Sequence, residues 1–202
     1  MSDKNGKNRT FDRRNSVFGT YNMVLEAICA ALIAICSWIS IPFAQIPFTL
    51  QTMAVFIVLM TIGGKRGFVS IICYLLLGAV GVPVFAGFKG GFAVLLGPTG
   101  GFLVGFIVVA LVYWLLSEKV FGRFMTSYGK RLVFNIIIAL ICEVVMYAVG
   151  VAWFMTVYTP DTGRVGLTFA LTACCFPYII PDLVKLVLAS LISSKGYSLV
   201  RR

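Results

Sequence analysis

Long apolar runs, broken only by glycine, proline and clustered basic residues, constrain this chain more than any other feature. Such runs hold too few polar side chains to face water, and a helix of about 20 apolar residues is what crosses the hydrocarbon of a bilayer. Of the 202 residues, 60% are hydrophobic and 12% charged, against roughly half and a quarter in a soluble domain. That balance excludes a water-soluble globular protein. The 14% of aromatic residues, with so few charges, excludes a disordered chain. The chain reads as an all-α integral membrane protein with room for six transmembrane helices in residues 17–202, preceded by a basic tail, residues 1–16.

The expected spans are 21–41, ended by Pro42; 49–62, stopped by Gly63-Gly64-Lys65-Arg66-Gly67; 68–80, stopped by Gly81-Val82-Pro83; 100–116; 132–158; and 167–194, which carries Pro177 and Pro181. The second and third are short and lie beside Gly/Pro-rich connections. Irregular backbone at membrane depth is tolerated only where protein or a water-filled cavity covers it, so these connections point to a site. The first apolar run is too long for the core of a cleaved signal peptide and is read as a retained span.

Basic residues in short loops stay on the cytoplasmic side. With the N-terminus inside, the inner segments hold Lys4, Lys7, Arg9, Arg13, Arg14, Lys65, Arg66, Lys119, Arg123, Lys130, Arg131, Lys195, Arg201 and Arg202, which is 14 of the 17 basic residues. An even number of spans with both termini cytoplasmic is the consistent solution. The net charge of +10 thus reports topology, and no nucleic-acid partner is expected. The basic tail suits either a disordered segment or one held against anionic headgroups of membrane lipid. Six cysteines lie in apolar stretches without C-x-x-C spacing, and the chain has no histidine, so no metal, no cofactor and no catalytic residue are expected. No G-x-x-x-x-G-K-[ST] phosphate loop occurs.

An ionisable side chain inside a span costs on the order of 2.5–3.5 kcal/mol on insertion scales and is a functional candidate by default. Four qualify: Glu26, Glu143, Asp182 and Lys185. Glu26 is read as an acid near a helix start that reaches the interface. Glu143 lies about 18 Å into the fifth span at the helical rise, near the bilayer centre, where a packing residue and a polar cavity both fit. Asp182 and Lys185, three residues apart, share a helix face and each offsets part of the other's burial. A structural strut and a ligand site both fit the pair. The two prolines upstream, which free backbone carbonyls, favour the site.

Residues 78–105 are dense in glycine, which permits close backbone approach and amide N–H groups aimed at a polar ligand. The one cation there is Lys89, flanked by Phe85, Phe88 and Phe92. In the first span, Ala27, Ala30, Ala31 and Ala34 form a small-residue stripe that suits either packing within the chain or docking of a partner.

Four ordered motifs then resemble a known family. Ile46-Pro47-Phe48-Thr49-Leu50-Gln51-Thr52, Gly81-Val82-Pro83-Val84-Phe85-Ala86-Gly87, Gly97-Pro98-Thr99-Gly100-Gly101 and Pro181-Asp182-Leu183-Val184-Lys185 are similar to the signatures of the BioY family, the biotin-binding S components of energy-coupling factor (ECF) transporters. The resemblance runs from about residue 27 to residue 185 and leaves the basic tail outside. It implies a compact six-helix bundle in a bacterial plasma membrane that takes biotin from the outer face and works with a T component and two ATP-binding subunits. It implies further that Asp182 and Lys185 hold the ureido ring, that Lys89 with Gly90 and Gly91 meets the valerate carboxylate, and that Gln51, Tyr147, Phe85 and Phe92 line the wall.

Two other functional classes fit the residues less well. A self-sufficient ion-coupled carrier would use Glu143 as its coupling site, but the six spans carry no inverted repeat. An intramembrane enzyme lacks a histidine base and a G-x-S-x-G elbow.

Overall fold

The computed structural model describes residues 19–42, 46–121, 127–158 and 166–200, with side chains described as far as Lys195. The basic tail, Arg123, Arg164, Arg201 and Arg202 lie outside the described residues.

Helix α1 (Thr20–Trp38) leads into a two-stranded antiparallel hairpin, β1 (Ser40–Ile41) and β2 (Phe48–Thr49), in register Ser40 to Thr49 and Ile41 to Phe48. Then follow α2 (Gln51–Ile62), α3 (Gly64–Ala79), a 3-10 turn (Ala86–Phe88), α4 (Phe92–Leu96) and α5 (Gly100–Leu115), which continues into a π turn (Leu116–Val120). Helices α6 (Tyr128–Val157), α7 (Leu167–Cys174) and α8 (Phe176–Val200) complete the described chain.

Among the described residues, four helical segments are long and apolar enough to cross a membrane: Thr20–Trp38, Gly100–Val120, Tyr128–Val157 and Phe176–Lys195. The surface fits that reading. Val144 of α6 and Ile180 of α8 are 69% and 74% exposed, and α1 turns Ile28 and Ile35 outward. In water such a surface drives aggregation; in hydrocarbon it is the matched solvent. Inside, α2 packs along α8 and α5 along α6. Both partners of the second pair use glycine to come close: a Cβ added at Gly101 would lie 2.2 Å from the Trp153 Cβ, and one at Gly150 would lie 2.3 Å from the Phe102 ring. Small residues at a crossing maximise van der Waals contact where no hydrophobic effect drives helix association.

The structure corrects several expectations. The second and third spans are joined by Gly63 alone, at φ +91°, so that Gly64, Lys65, Arg66 and Gly67 form the first turn of α3 where a stop was expected. The sixth span is two helices broken at Cys175. Pro177 has no N–H to continue the first helix, yet is tolerated in the first turn of the next. Pro181 lies inside α8 and leaves the Pro177 carbonyl without its helical donor. The fold also contains the small hairpin and α4, neither of which was expected. Glu26 is buried, where an exposed acid near a helix start was expected; one of its oxygens lacks a hydrogen bond, and it sits within the field of Arg66. The alanine stripe of α1 is split: Ala30 and Ala34 belong to the core, while Ala27 and Ala31 are exposed. All six cysteines are free thiols.

Candidate functional site

A cavity of about 280 Å³ opens where the hairpin, the first turn of α2, the loop after α3, the start of α5, the middle of α6 and the start of α8 meet. Its walls are mostly apolar, with Pro47, Phe85, Phe102, Phe106 and Met146 among the lining residues, and a few polar groups converge on it. This is the usual composition of a small-molecule site.

The polar side of the cavity is carried by α8. Lys185 Nζ lies 2.6 Å from Asp182 Oδ1, and both residues are only 6% exposed. The same ammonium donates to the Thr49 carbonyl at 2.7 Å and sits 3.8 Å from the centre of the Phe48 ring. An ammonium has three donors, so one N–H is left for a ligand. The Tyr147 hydroxyl, reaching across from α6, donates to Asp182 Oδ2. A carboxylate accepts about four hydrogen bonds, and Asp182 keeps capacity after these two. The arrangement is therefore an acceptor and a donor held side by side in a buried site, where both are stronger than at an exposed surface.

The hairpin explains the placement of the Thr49 carbonyl. Pairing of Ser40 with Thr49, with the Leu50 amide donating to the Ile39 carbonyl at 3.2 Å, fixes the chain entering α2 against α8. Nearby, the Tyr178 hydroxyl donates to the Ile46 carbonyl.

The opposite wall is the loop after α3, and side chains grip it by its carbonyls. Ser37 and Tyr74 both donate to the Val84 oxygen, and Trp38 Nε1 donates to that of Pro83 at 2.8 Å. Tyr74 spends its single proton on Val84, so its oxygen accepts from the Gln51 Nε2 at 3.1 Å, which fixes the orientation of that amide at the cavity edge. The ring of Phe85 meets Tyr74 edge-on at 5.6 Å.

Of the residues singled out from sequence, Asp182, Lys185, Lys89, Gln51, Phe85 and Tyr147 are brought together around the cavity. Phe92 is not: it opens α4 and is 62% exposed, outside the lining. Gly90 and Gly91 also lie outside the lining. Gly90 packs on the Val82 carbonyl, leaving no room for a Cβ, and Gly91 takes φ +99° while its amide donates to the Gly78 carbonyl at 2.7 Å. They shape the loop that carries Lys89. Sequence reasoning assigned no role to Thr49, Phe48, Phe102, Phe106 or Tyr178. The aromatic residue between two prolines was a signal for Tyr178, whereas a backbone carbonyl such as that of Thr49 leaves no mark in a sequence.

Comparison with known proteins gives a consistent result. The family model described as BioY family matches residues 7–202. A biotin transporter BioY of Thermotoga maritima is 40% identical over 173 residues, covering 85% of this chain and 92% of that protein. A biotin transporter BioY2 of Lactococcus lactis is 34% identical over 182 residues, covering 90% and 91%. The crystal structure of an S-component for biotin from an ECF-type ABC transporter superposes with a TM-score of 0.72 at 24% identity, covering 90% of this chain and 96% of that one, a likeness of fold. With nearly the whole chain matched by the family model and relatives of this identity aligned over most of their length, the chain belongs to the BioY family.

Proposed function

We propose that this chain is a biotin-capture subunit, the S component of an ECF-type importer in the plasma membrane. The observation that carries the reading is the buried Asp182–Lys185 pair facing a cavity of about 280 Å³, close to the lower end of the usual range for small-molecule sites. Asp182 accepts a ureido N–H, the free N–H of Lys185 meets the ureido oxygen, and the aromatic wall of Phe85, Phe102 and Phe106 covers the sulfur ring. Lys89, on the loop shaped by Gly90 and Gly91, meets the valerate carboxylate at the mouth. Gln51 and Tyr147 complete the polar wall.

The bundle crosses the membrane six times, through α1, α2, α3, α5, α6 and the α7–α8 pair, with both termini cytoplasmic. The shortness of α2 and α3, 12 and 16 residues, is compatible with crossing because the hairpin and the loop after α3 fill the remaining depth while packed on protein. With the N-terminus inside, the cavity lies at the outer end. The exposed Ala27 and Ala31 of α1 offer a close-approach face to the T component, and the two ATP-binding subunits supply the energy.

Uptake by vesicles tests the division of labour. Vesicles containing the chain alone are expected to bind labelled biotin without accumulating it, and to accumulate it once a T component, both ATPases and internal ATP are present. Accumulation by the chain alone under a pH gradient would overturn the reading in favour of an ion-coupled carrier.

A further inference from the structure

One buried acid has no role in the site as described above. Glu143 lies on α6 one turn before Tyr147, on the same face, and is 6% exposed. No donor among the described residues reaches either of its carboxyl oxygens. The titratable groups that share its surroundings are Asp182 and Lys185 from α8, Cys175 at the break before α8, and Tyr147 and Cys142 on its own helix. Helix α5, which also packs along α6, contains no Asp, Glu, Lys or Arg. Lys185 is the one cation of this group, and it is already engaged by Asp182 and the Thr49 carbonyl.

Two ionised carboxylates and one ammonium would leave an uncompensated negative charge among side chains that are each 6% exposed. They would also leave two like charges acting on each other, with both Glu143 oxygens lacking a donor. One proton removes both difficulties. Asp182 is the carboxylate with a salt bridge and a hydroxyl donor, so it is the one that stays ionised. The proton then belongs on Glu143, where it supplies the missing donor, and Asp182 still has lone pairs to receive it.

We infer that Glu143 is a positioning residue of the ligand site: as the neutral acid it donates a hydrogen bond to Asp182 and fixes the carboxylate that meets the ligand. The inference rests on the biotin-capture reading for its ligand. Glu143, Tyr147 and Lys185 then hold Asp182 from three directions, and what remains of its acceptor capacity points at the cavity. A neutral donor is required at this position, whereas an ionised group or an apolar side chain fails.

The test pairs calorimetric titration of biotin with infrared difference spectra on the purified full chain, for wild type, Glu143→Gln and Glu143→Leu. Gln keeps a neutral donor, so its affinity is expected within about threefold of wild type. Leu removes the donor and is expected to bind about tenfold more weakly, the scale of one hydrogen bond to a charged group. The wild-type spectrum is expected to carry a carboxylic-acid carbonyl band that Glu143→Gln lacks. The inference is overturned if that band is absent from wild type or survives in Glu143→Gln, if Gln weakens binding as much as Leu, or if Leu binds as wild type does. Should Glu143→Leu fail to fold, the band and the Gln affinity still decide. Wild type that folds but takes up no biotin would defeat the capture reading, while the band would continue to report the proton separately.

Discussion

Replacing Lys185 with methionine is expected to weaken biotin binding by roughly 30-fold to more than 1,000-fold. Methionine keeps most of the stem volume and removes the charge. Truncating one partner of a buried, hydrogen-bonded charge pair costs about 2–5 kcal/mol, and every 1.4 kcal/mol is a factor of ten. Three contacts go at once: the 2.6 Å pair with Asp182, the 2.7 Å bond to the Thr49 carbonyl and the placement over Phe48. Asp182 keeps the Tyr147 hydroxyl as a donor but loses its counter-charge, and the ligand loses the remaining ammonium N–H. Melting of the empty protein should also fall, because an unpaired buried carboxylate is itself unfavourable. Calorimetry on folded, monodisperse protein checks the affinity, and a variant that binds within about threefold of wild type would show that Lys185 holds helices together and no ligand.

Adding one methyl group at Gly78 is expected to weaken binding about tenfold or more from behind the cavity wall. A Cβ there would lie 2.0 Å from Cζ of Phe85, far inside contact distance. Phe85 is 1% exposed and edge-on to Tyr74, so its ring has packed neighbours on the side away from the cavity. The cavity it lines is the free volume into which it can move. Overpacking of this kind costs about 1–3 kcal/mol, and here part of that cost falls on the ligand, which must push the ring back. Gly78→Ala combined with Phe85→Leu restores the room, so the double variant is expected to bind better than Gly78→Ala alone. Titration of the three proteins decides: a single variant with wild-type affinity, or a double variant weaker than the single, would remove Phe85 from the wall.

The part of the site that was legible in the sequence is the part made by charge. Two opposite charges three residues apart in an apolar run are costly unless they meet, and Asp182 and Lys185 do meet. Tyr147 was legible only as a candidate wall residue; its bond to Asp182 depends on how α6 and α8 cross. The Thr49 carbonyl was not legible, because every residue has one and strands of two residues are too short to show alternation. Gly90 and Gly91 were read as facing the ligand, and their glycine character instead serves the close contact with Val82 and a positive φ. Phe92 shares its neighbourhood in sequence with Lys89, but the intervening turn sends it outward as the first residue of α4. On α1, Ala27 with Ala31 and Ala30 with Ala34 are two pairs at four-residue spacing. Offset by three residues, or about 60° around a helix, they sit on either side of the boundary between core and surface, which spacing alone does not locate.

Biotin as the ligand, with its ureido ring held by α8, is open to one decisive titration. Calorimetric titration of biotin into the detergent-purified wild type and Asp182→Asn, with an unrelated vitamin as control, tests it most directly. Tight one-to-one binding to wild type, no heat with the control, and affinity lowered at least tenfold in Asp182→Asn, the scale of one charge-assisted hydrogen bond, are expected. Folded wild type that gives no heat with biotin, or Asp182→Asn that binds as wild type does, would contradict it.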